Sequence, residues 1–534
     1  MNKPLRKVSI AVGVLFLALF VNLNVVQVLQ GDSYRNNAGN RRVLLNEYAS
    51  PRGQITVGGN AVADSVETND ELKYQRKYPR GPVYAAATGY YSFVYGKSGI
   101  EDATNSILTG DDPDLFGTRL ADILTGRNPK GGSVQLTLNA RAQEAAYKAM
   151  GNRRGAVVAL DPKTGAILAM VSTPSYDPNL LASHDSNVID RAWSNYRKES
   201  ANEPLLNRTI NQVYPPGSMF KVIDTAAALA ADPKLEPSTE LPSPNTYWPL
   251  DTGRTSACPA NGEAACVENF DGEVCQNGKT ATLALALAKS CNTTFSKLVA
   301  ENLKTRVPAM AQKFGLEAPY TGDQAGDLCN PEAFKIPLSV CRSTPGAESD
   351  YENPDTLAQS AIGQRNVAIT PLQAAMISAA VANNGTLMKP YLVNKELRPD
   401  LSTLRQTTPE QLSQVLDPER DSVLQQLMFG VVENPQGTGG PAQVNTSRFP
   451  EVKVGGKTGT ADHGTRDPKT GKFPPPHAWF TGFALAKGDP KIAVSVIIEE
   501  GGVAGNETTG GLAAAPVAKK VFEAYLSSIG AGGS

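Results

Sequence analysis

Three short segments, far apart in the chain, carry the residue types that a serine-based acyl transfer requires. They are Ser218-Met219-Phe220-Lys221, Ser290-Cys291-Asn292 and Lys457-Thr458-Gly459-Thr460. A serine hydroxyl is a weak nucleophile near neutral pH, so it needs a base beside it. A lysine amine can be that base when burial and neighbouring cations lower its pKa. The segments therefore indicate a site in which Ser218 attacks a carbonyl carbon and Lys221 accepts its proton.

The first segment is placed so that a helix would bring its two reactive groups together. A breaker run, residues 214–217, precedes Ser218, and good helix formers without Gly or Pro follow it. Residues three apart lie on the same face of a helix, so the amine of Lys221 would lie beside the hydroxyl of Ser218. The alternative is a serine that caps the helix with a solvated lysine, and an isolated match is usually no more than that.

The third segment continues a short alternating run, residues 451–456, that predicts a strand passing through glycines. Glycine in a strand often marks the close approach of a ligand or another backbone. Beside a substrate, Lys457 would supply positive charge and the hydroxyls of Thr458 and Thr460 would hold a carboxylate. The amide of Thr460 would complete an oxyanion hole with the amide of Ser218. A surface hairpin turn is the alternative for this segment.

The three motifs and their order resemble those of the penicillin-binding proteins and serine β-lactamases. Further segments are similar to class B penicillin-binding proteins, the monofunctional peptidoglycan transpeptidases, and above all to their actinobacterial type. The similarity runs nearly end to end. Its supporting segments are residues 51–55, 155–165, 204–208, 363–364 with 370–373, and 477–482.

The resemblance implies a D,D-transpeptidase that cross-links peptidoglycan stem peptides and is inhibited covalently by β-lactams. Ser218 would attack the D-Ala-D-Ala amide of one stem peptide, with Lys221 as the base, and D-alanine would leave. An amine of a neighbouring stem peptide would then take the acyl group. The implied biological roles are cell-wall biogenesis, cell division and cell shape.

The resemblance also assigns roles in the other two motifs. Ser290 would relay a proton toward the leaving nitrogen, and Lys457 would hold the charge of that network. Asn292 would bind the peptide backbone of the donor. The residues that would hold the terminal carboxylate of the donor are Thr458, Gly459 and Thr460.

Composition agrees with an enzyme of this class. The chain has 534 residues, 41% of them hydrophobic, and a net charge of −1, which describes a globular protein rather than a disordered or nucleic-acid-binding one. It has three histidines, and it lacks a GxGxxG loop, a GxxxxGK[ST] loop and a paired Cys-x-x-Cys site. We therefore expect no cofactor, no metal and no nucleic-acid partner.

The N-terminus predicts a membrane anchor. No residue from Val8 to Gly31 is charged, and this run is long enough to cross a bilayer as one helix. Lys3, Arg6 and Lys7 precede it, which by the positive-inside rule places the N-terminus in the cytoplasm and the rest of the chain outside. A cleaved signal peptide is the alternative, but no small-x-small cleavage site follows the apolar run.

The chain divides into four predicted regions: a cytoplasmic N-terminus (1–7), a transmembrane anchor (8–31), a small N-terminal linker or pedestal module (32–132) and a transpeptidase domain (133–534). About a hundred residues are too few for the glycosyltransferase domain of class A proteins, so a separate glycosyltransferase is the expected partner.

Within the last region the pattern predicts an α+β fold, an antiparallel sheet with helices on its faces. The predicted elements are a strand at 134–138, a helix at 140–150, hairpins around 161–165 and 487–490, and a helix from about 512 to 526.

All six cysteines lie between Cys258 and Cys341, in the region expected outside the membrane, where disulfides persist. Six cysteines allow fifteen pairings, so the sequence does not choose among them. Cys329 is close enough in sequence to Cys341 to close a small loop. Cys291 could be a buried free thiol or could tie its motif to the preceding loop.

Two other functions share parts of this pattern. One is a β-lactamase or membrane-bound β-lactam sensor, and the other is a non-catalytic scaffold of the division or elongation machinery. Residues 203–207, Glu-Pro-Leu-Leu-Asn, resemble the element that positions a hydrolytic water in class A β-lactamases, but they precede the nucleophile instead of following it. A structural role in which Asn207 and Arg208 brace the nucleophile helix is therefore expected.

Overall fold

The computed structural model describes most of the chain. The described residues are 3–30, 47–126, 130–198, 200, 202–251, 253–254, 256–259, 266–322, 328–330, 332–464, 474–501 and 508–532.

Among these residues, two larger sheets and a set of helices organise the fold. The strands of the two sheets are β1 (Ile55–Val57), β2 (Asn60–Glu67), β3 (Tyr74–Lys77), β4 (Ser133–Leu136), β5 (Gly155–Leu160), β6 (Ile167–Thr173), β7 (Val393–Leu397), β8 (Thr403–Gln406), β9 (Val452–Ala461), β10 (His477–Ala486) and β11 (Asp489–Ile498). The helices that matter below are α1 (Lys3–Asn24), α2 (Ala140–Met150), α3 (Lys221–Ala231), α4 (Leu283–Ala288), α5 (Asn292–Leu298), α6 (Pro371–Ala382), α7 (Pro418–Glu433) and α8 (Ala515–Ser528).

Shorter elements connect them. The other α-helices are Gly81–Thr88, Gly99–Ala103, Asn105–Thr109, Phe116–Leu124, Pro178–Leu181, Ser186–Tyr196, Arg306–Lys313, Pro354–Ser360 and Gly510–Ala513. The short strand pairs are Tyr91–Ser92 with Gly96–Lys97, Thr246–Tyr247 with Val267–Glu268, Glu240–Pro242 with Thr280–Thr282, Phe334–Lys335 with Ser339–Val340, and Thr386–Met388 with Gln411–Gln414.

The five-stranded sheet that includes the third motif has the order β9-β10-β11-β5-β6, and every neighbouring pair is antiparallel. Alternate residues of β5 enter two different apolar cores: Val157 and Ala159 pack with α2 and α8, whereas Val158 and Leu160 pack with α3 and α6. Because successive strand side chains point to opposite faces, a sheet with helices on both faces must be apolar on both. The predicted α+β fold is confirmed.

Helix α6 fills the face of this sheet that supports the active site. Every residue from Pro371 to Ala382 is buried, as expected for a helix that is apolar all round. The helix begins with Pro371 in its first turn, and the side chain of Thr370 accepts a hydrogen bond from the amide of Gln373. Both features are favoured at helix N-termini.

A second sheet joins the N-terminal module to the rest of the chain. Its order is β8-β7-β4-β1-β2-β3. Strand β4 pairs in parallel with β1 on one side and antiparallel with β7 on the other. Strands from the first and the second half of the chain thus pair in one sheet. Backbone hydrogen bonds therefore attach the N-terminal module to the rest of the chain.

The N-terminal apolar run forms a helix. Within Lys3–Gln27, the most apolar 18 residues have a mean hydropathy of 2.3 and none of them is buried against the rest of the protein, so by length and composition this helix could cross a membrane. The predicted helix at 140–150 and both predicted hairpins are also present, as α2, β5-β6 and β10-β11.

Candidate active site

The nucleophile lies in a tight turn held against strand β9. Gly217 has a φ of +57°, and a Cβ atom there would lie 2.5 Å from the carbonyl oxygen of Thr460. Only glycine tolerates both the conformation and the contact. Ser218 follows in a short 3₁₀ turn, Gly217–Met219, and α3 continues from Lys221. The predicted helix thus begins as a 3₁₀ turn, with Ser218 partly exposed and Lys221 buried.

The amine of Lys221 lies at the centre of a polar cluster. Its Nζ is 3.1 Å from Oγ of Ser218, 2.7 Å from the carbonyl oxygen of Ser290 and 2.7 Å from Oδ1 of Asn292. The Oγ of Ser290 is 3.2 Å away. The helical spacing predicted from the sequence therefore does bring Lys221 beside Ser218, and three further oxygen atoms come from the second motif.

The second motif forms the connection between α4 and α5. Ser290 has a φ of +64°, unusual for a residue with a side chain, and the amide of Cys291 donates to the carbonyl of Ala286 at 2.9 Å. The amide group of Asn292 also donates to the carbonyl of Glu268 at 3.0 Å. Backbone conformation and this second contact together direct Ser290 and Asn292 toward Lys221.

A disulfide fixes the same connection from the other side. Cys291 is bonded to Cys275, which answers the open question in favour of a tie to the preceding loop. The other pairs are Cys258 with Cys266 and Cys329 with Cys341. Because Cys291 points to its disulfide partner, the side chains on either side of it are free to face the site.

Strand β9 supplies the third motif. Nζ of Lys457 donates to Oγ of Ser290 at 2.8 Å and to the carbonyl of Thr458 at 3.1 Å. A Cβ atom at Gly459 would lie 2.5 Å from the carbonyl oxygen of Pro216, so glycine lets the strand approach the nucleophile turn. The three predicted motifs therefore meet, with Ser290 hydrogen-bonded to both lysines.

Burial strongly perturbs both lysines. Burial first, and then the charge of Lys457, holds the pKa of Lys221 well below its ordinary value, while Asp224 opposes the shift. Burial lowers the pKa of Lys457 to about 7. An ammonium group loses hydration when it is buried, so the neutral amine is favoured. Such shifts are typical of groups that take part in proton transfer.

One polar residue at the site was not predicted from the sequence. The hydroxyls of Thr438 and Thr458 are 2.6 Å apart, so Thr438 anchors the side chain that follows Lys457. Thr438 lies in a Gly-rich loop after α7, and its position in sequence gives no signal of this contact. Its partner Thr458 is buried, whereas Thr460 is partly exposed.

The segment before the nucleophile is braced by a buried ion pair. Nε of Arg208 donates to Oε1 of Glu499 at 2.8 Å, and the hydroxyl of Tyr214 donates to the same oxygen at 2.6 Å. Asn207 donates to the carbonyl of Ala86 at 2.8 Å. These contacts agree with the expected bracing role of Asn207 and Arg208, and they add Glu499, which sequence reasoning missed.

No group of three or more His, Cys, Asp or Glu side chains in the described part of the chain is arranged to hold a metal ion. The groups that meet at the site are two serine hydroxyls, two perturbed amines and an amide side chain. These groups suit nucleophilic acyl transfer with proton relay.

Comparison with known proteins agrees with this chemistry. The family model for the penicillin binding protein transpeptidase domain matches residues 155–523, and that for the penicillin binding protein A dimerisation domain matches residues 52–134. The peptidoglycan D,D-transpeptidase PbpA of Mycolicibacterium smegmatis is 45% identical over 98% of this chain and 99% of its own length. PbpA of Mycobacterium tuberculosis is 42% identical over the same shares.

A solved structure is similar as well. Penicillin-binding protein A from M. tuberculosis, as a ceftriaxone acyl-enzyme complex, has 41% sequence identity and a TM-score of 0.78, covering 90% of this chain and all of that chain. The chain belongs to the penicillin-binding proteins with a transpeptidase domain. The predicted resemblance to class B proteins of the actinobacterial type and the predicted D,D-transpeptidase activity are confirmed.

Proposed function

We propose that Ser218 is the nucleophile of this peptidoglycan D,D-transpeptidase and that Lys221 is the base that activates it. The observation that carries the proposal is the set of contacts around Nζ of Lys221. The carbonyl oxygen of Ser290 and Oδ1 of Asn292, both at 2.7 Å, can only accept hydrogen bonds. A neutral amine has two N–H groups, which these acceptors occupy, so its lone pair is left for the two nearby hydroxyls, those of Ser218 at 3.1 Å and of Ser290 at 3.2 Å.

The remaining groups are suited to the next proton transfer. When Ser218 attacks the D-Ala-D-Ala carbonyl, its proton passes to Lys221, and the leaving nitrogen of D-alanine needs a proton. The hydroxyl of Ser290 lies between Lys221 and Lys457, at 3.2 and 2.8 Å. Ser290 therefore relays the proton to the leaving nitrogen, and Lys457 holds the charge of that network.

Substrate binding is assigned to groups on both sides of the nucleophile. The turn at Gly217 adjoins the backbone of Thr460, which supports an oxyanion hole made from the amides of Ser218 and Thr460. Asn292 would also contact the donor peptide. The groups proposed for the terminal carboxylate are Thr458, Gly459 and Thr460.

We further propose that the protein works outside the cytoplasmic membrane. The apolar helix α1 would anchor it, with Lys3, Arg6 and Lys7 on the cytoplasmic side. Residues 32–132 would act as a pedestal for a transpeptidase domain at 133–534. Because the chain has a transpeptidase domain and a small N-terminal module, we expect a separate glycosyltransferase to supply its glycan strands.

The test is acylation by penicillin, whose strained amide and carboxylate resemble the D-Ala-D-Ala terminus. Mass spectrometry of the penicillin-treated protein should show one adduct, on the peptide that contains Ser218. Ser218→Ala should abolish the adduct, and Ser349→Ala, at an exposed serine, should not. An adduct that survives Ser218→Ala would contradict the assignment. A protein that takes no label at all would favour the non-catalytic scaffold.

A chase experiment separates the transpeptidase from a β-lactamase or sensor. Hydrolysis of the acyl-enzyme requires an activated water, but the hydrogen bonds of Ser218 and Lys221 to described residues involve no carboxylate. We expect the penicilloyl adduct to persist for many minutes to hours after excess unlabelled drug is added. A loss of about 10⁴-fold in hydrolysis relative to a β-lactamase corresponds to about 5.5 kcal/mol of barrier. Release within seconds would indicate a β-lactamase.

A further inference from the structure

Two of the three histidines of the chain meet where β9 ends. His463 follows β9 and His477 begins β10, and their rings stack nearly parallel with centroids 3.9 Å apart. His477 is buried, whereas His463 is partly exposed and its Nε2 donates to the carbonyl of Pro475 at 2.9 Å. The proposed mechanism gives neither ring a role.

His477 adjoins both segments that carry the proposed oxyanion hole. In the pairing of β9 with β10 it lies opposite Ala461, the residue that follows Thr460. Its ring also meets the ring of Tyr214 edge-on, with centroids 5.5 Å apart, and Tyr214 lies four residues before Ser218. His477 therefore links the end of β9 to the segment that leads to the nucleophile.

The hydrogen bonds of His477 require a neutral ring. The backbone amide of Glu500 donates to Nδ1 of His477 at 3.2 Å, so Nδ1 presents a lone pair and carries no proton. An imidazolium ring has an N–H group on both nitrogens, so protonation would set two donors against each other. It would also place a positive charge against the stacked ring of His463. Acid therefore disfavours this arrangement.

The charges around His477 agree with a neutral ring. The ionisable groups that face it from other elements are His463 after β9, Tyr214 before the nucleophile, Arg154 before β5 and Glu499 after β11. Burial first, and then His463, lowers the pKa of His477 to about 4; Arg154 adds to the shift and Glu499 opposes it. The carboxylate of Glu499 already pairs with Arg154 at 2.8 Å and accepts from Tyr214 at 2.6 Å.

We propose that His477 is a positioning residue whose neutral ring, stacked on His463, holds the end of β9 beside the nucleophile segment, and that protonation of this ring releases the contact and slows acylation. The proposal rests on the oxyanion hole proposed from the amides of Ser218 and Thr460. His477 exchanges no proton with the substrate and acts only through the position of the Thr460 amide.

The size of the effect follows from the two pKa values. A released ring has the ordinary pKa of 6.5, and the packed ring has one of about 4. The released state therefore binds more protons between these values, and lowering the pH from 7.5 to 5 favours it by roughly 30-fold.

The experiment measures acylation of the full-length protein in detergent by a fluorescent penicillin at pH 7.5 and pH 5. His477→Phe keeps a planar ring for both ring contacts and cannot be protonated. The parent should be slower at pH 5, and the ratio of its two rates should be at least about threefold larger than in the variant. Lys221 and Lys457 are present in both proteins, so comparing the ratios isolates the histidine.

His184→Phe is the matched control. His184 is the third histidine of the chain, and its Nδ1 lies 2.6 Å from Oδ2 of Asp70. Its substitution should leave the ratio of rates at the parental value. An equal decrease in the ratio for His184→Phe and His477→Phe would overturn the proposal.

The stacking contact has a test of its own. His463→Ala removes the ring that covers His477 and should slow acylation at pH 7.5 by about twofold to tenfold, the loss expected for one aromatic contact. An unchanged rate would contradict the role of the stack.

The remaining outcomes are equally decisive. A parental ratio in His477→Phe, even with slower acylation at both pH values, would show that His477 is merely structural. If this variant fails to fold, His477→Asn decides, because its amide oxygen can accept from the amide of Glu500 and it carries no charge: a smaller ratio supports the proposal and a parental one contradicts it. Ser218→Ala keeps the two proposals distinct, since a label that survives it refutes the nucleophile, whereas a parental ratio in His477→Phe refutes only the role of His477.

Discussion

The N-terminal module and the catalytic domain each contain a buried cluster of ionisable side chains, around Glu101 and around Lys221 with Lys457, but the two clusters compensate their charges differently. In the module, Glu101 is fully buried and accepts from Nε of Arg52 and Nε of Arg76, both at 2.6 Å, and from the hydroxyl of Tyr78 at 3.1 Å. Burial alone would raise the pKa of Glu101, but Arg76 and Arg52 outweigh it and the pKa is lowered. Both guanidinium groups are thus in direct contact with one shared carboxylate.

The catalytic domain leaves its buried lysines without such a partner. The amines of Lys221 and Lys457 contact hydroxyl, carbonyl and amide oxygens among the described residues, and the pKa of each is lowered. A matched cluster fixes its protonation states and stabilises a fold. A cluster without a counter-charge lowers the pKa of its amines, so that the neutral form, which can act as a base, is favoured. The comparison therefore separates a structural charge cluster from a chemical one.

The largest effect should come from removing the proposed base. Lys221→Ala should reduce acylation by penicillin by about 10²–10⁴-fold, the usual contribution of general-base catalysis. Lys457→Arg should reduce it less, because the positive charge is kept. Stopped-flow or gel-based labelling measures both. Equal losses would mean that the base has been misassigned.

Breaking the structural cluster should instead affect stability. Glu101→Gln leaves two buried guanidinium groups without a counter-charge, which commonly costs about 3–5 kcal/mol. Thermal or denaturant unfolding should show this loss, while the folded variant should still be acylated at the parental rate. The matched control is Glu451→Gln, which removes an exposed pair with Lys487 at 3.0 Å and should change stability by about 0.5 kcal/mol or less.

The sign of the pH dependence follows from the lowered pKa of Glu101. An acid whose pKa is lower in the folded protein than in the unfolded chain stabilises the fold at pH values above its pKa in the unfolded chain. That contribution is lost as the pH falls through its pKa in the folded protein. The difference in stability between the parent and Glu101→Gln should therefore shrink below about pH 4. A difference that grows on acidification would contradict the account of this cluster.

The smallest predicted effect is a gain in stability instead of a loss. Lys457→Met removes a buried amine whose pKa is about 7, against about 10.4 in the unfolded chain. Between these values the unfolded state binds more protons, so the stability of the parent should rise with pH. The stability of the variant should not rise with pH in this way. The variant should be about 1–3 kcal/mol more stable than the parent at pH 7, although acylation is impaired. Unfolding at pH 7 and pH 10 tests this. A variant less stable than the parent at pH 7 would contradict it.

Local features of this protein could be predicted from the sequence because each is encoded in a short stretch. The three-residue spacing of Ser218 and Lys221 needs only a helical turn to bring their groups together. Short apolar runs on either side of a turn specify the hairpins β5-β6 and β10-β11, and the uncharged N-terminal run specifies α1. The order of the three motifs was enough to indicate the family.

Contacts between distant segments required the tertiary structure. The carboxyl of Glu101 meets Arg52 and Arg76 only because β1, β3 and the helix Gly99–Ala103 pack together. The pairing of Cys275 with Cys291, chosen from fifteen arrangements, and the contact of Thr438 with Thr458 are of the same kind. Nothing in the local sequence distinguishes these residues from others of their type.

The sequence by itself therefore determined the chemistry and the local elements: a serine, its lysine and the strands and helices that carry them. Only the tertiary structure decided the charge state of those groups, because the pKa of an amine depends on burial and on charges that arrive from other parts of the chain. The spacing of the first motif identifies Lys221 as a candidate base. Burial among α3, the α4-α5 connection and β9 is what lowers its pKa enough for that role.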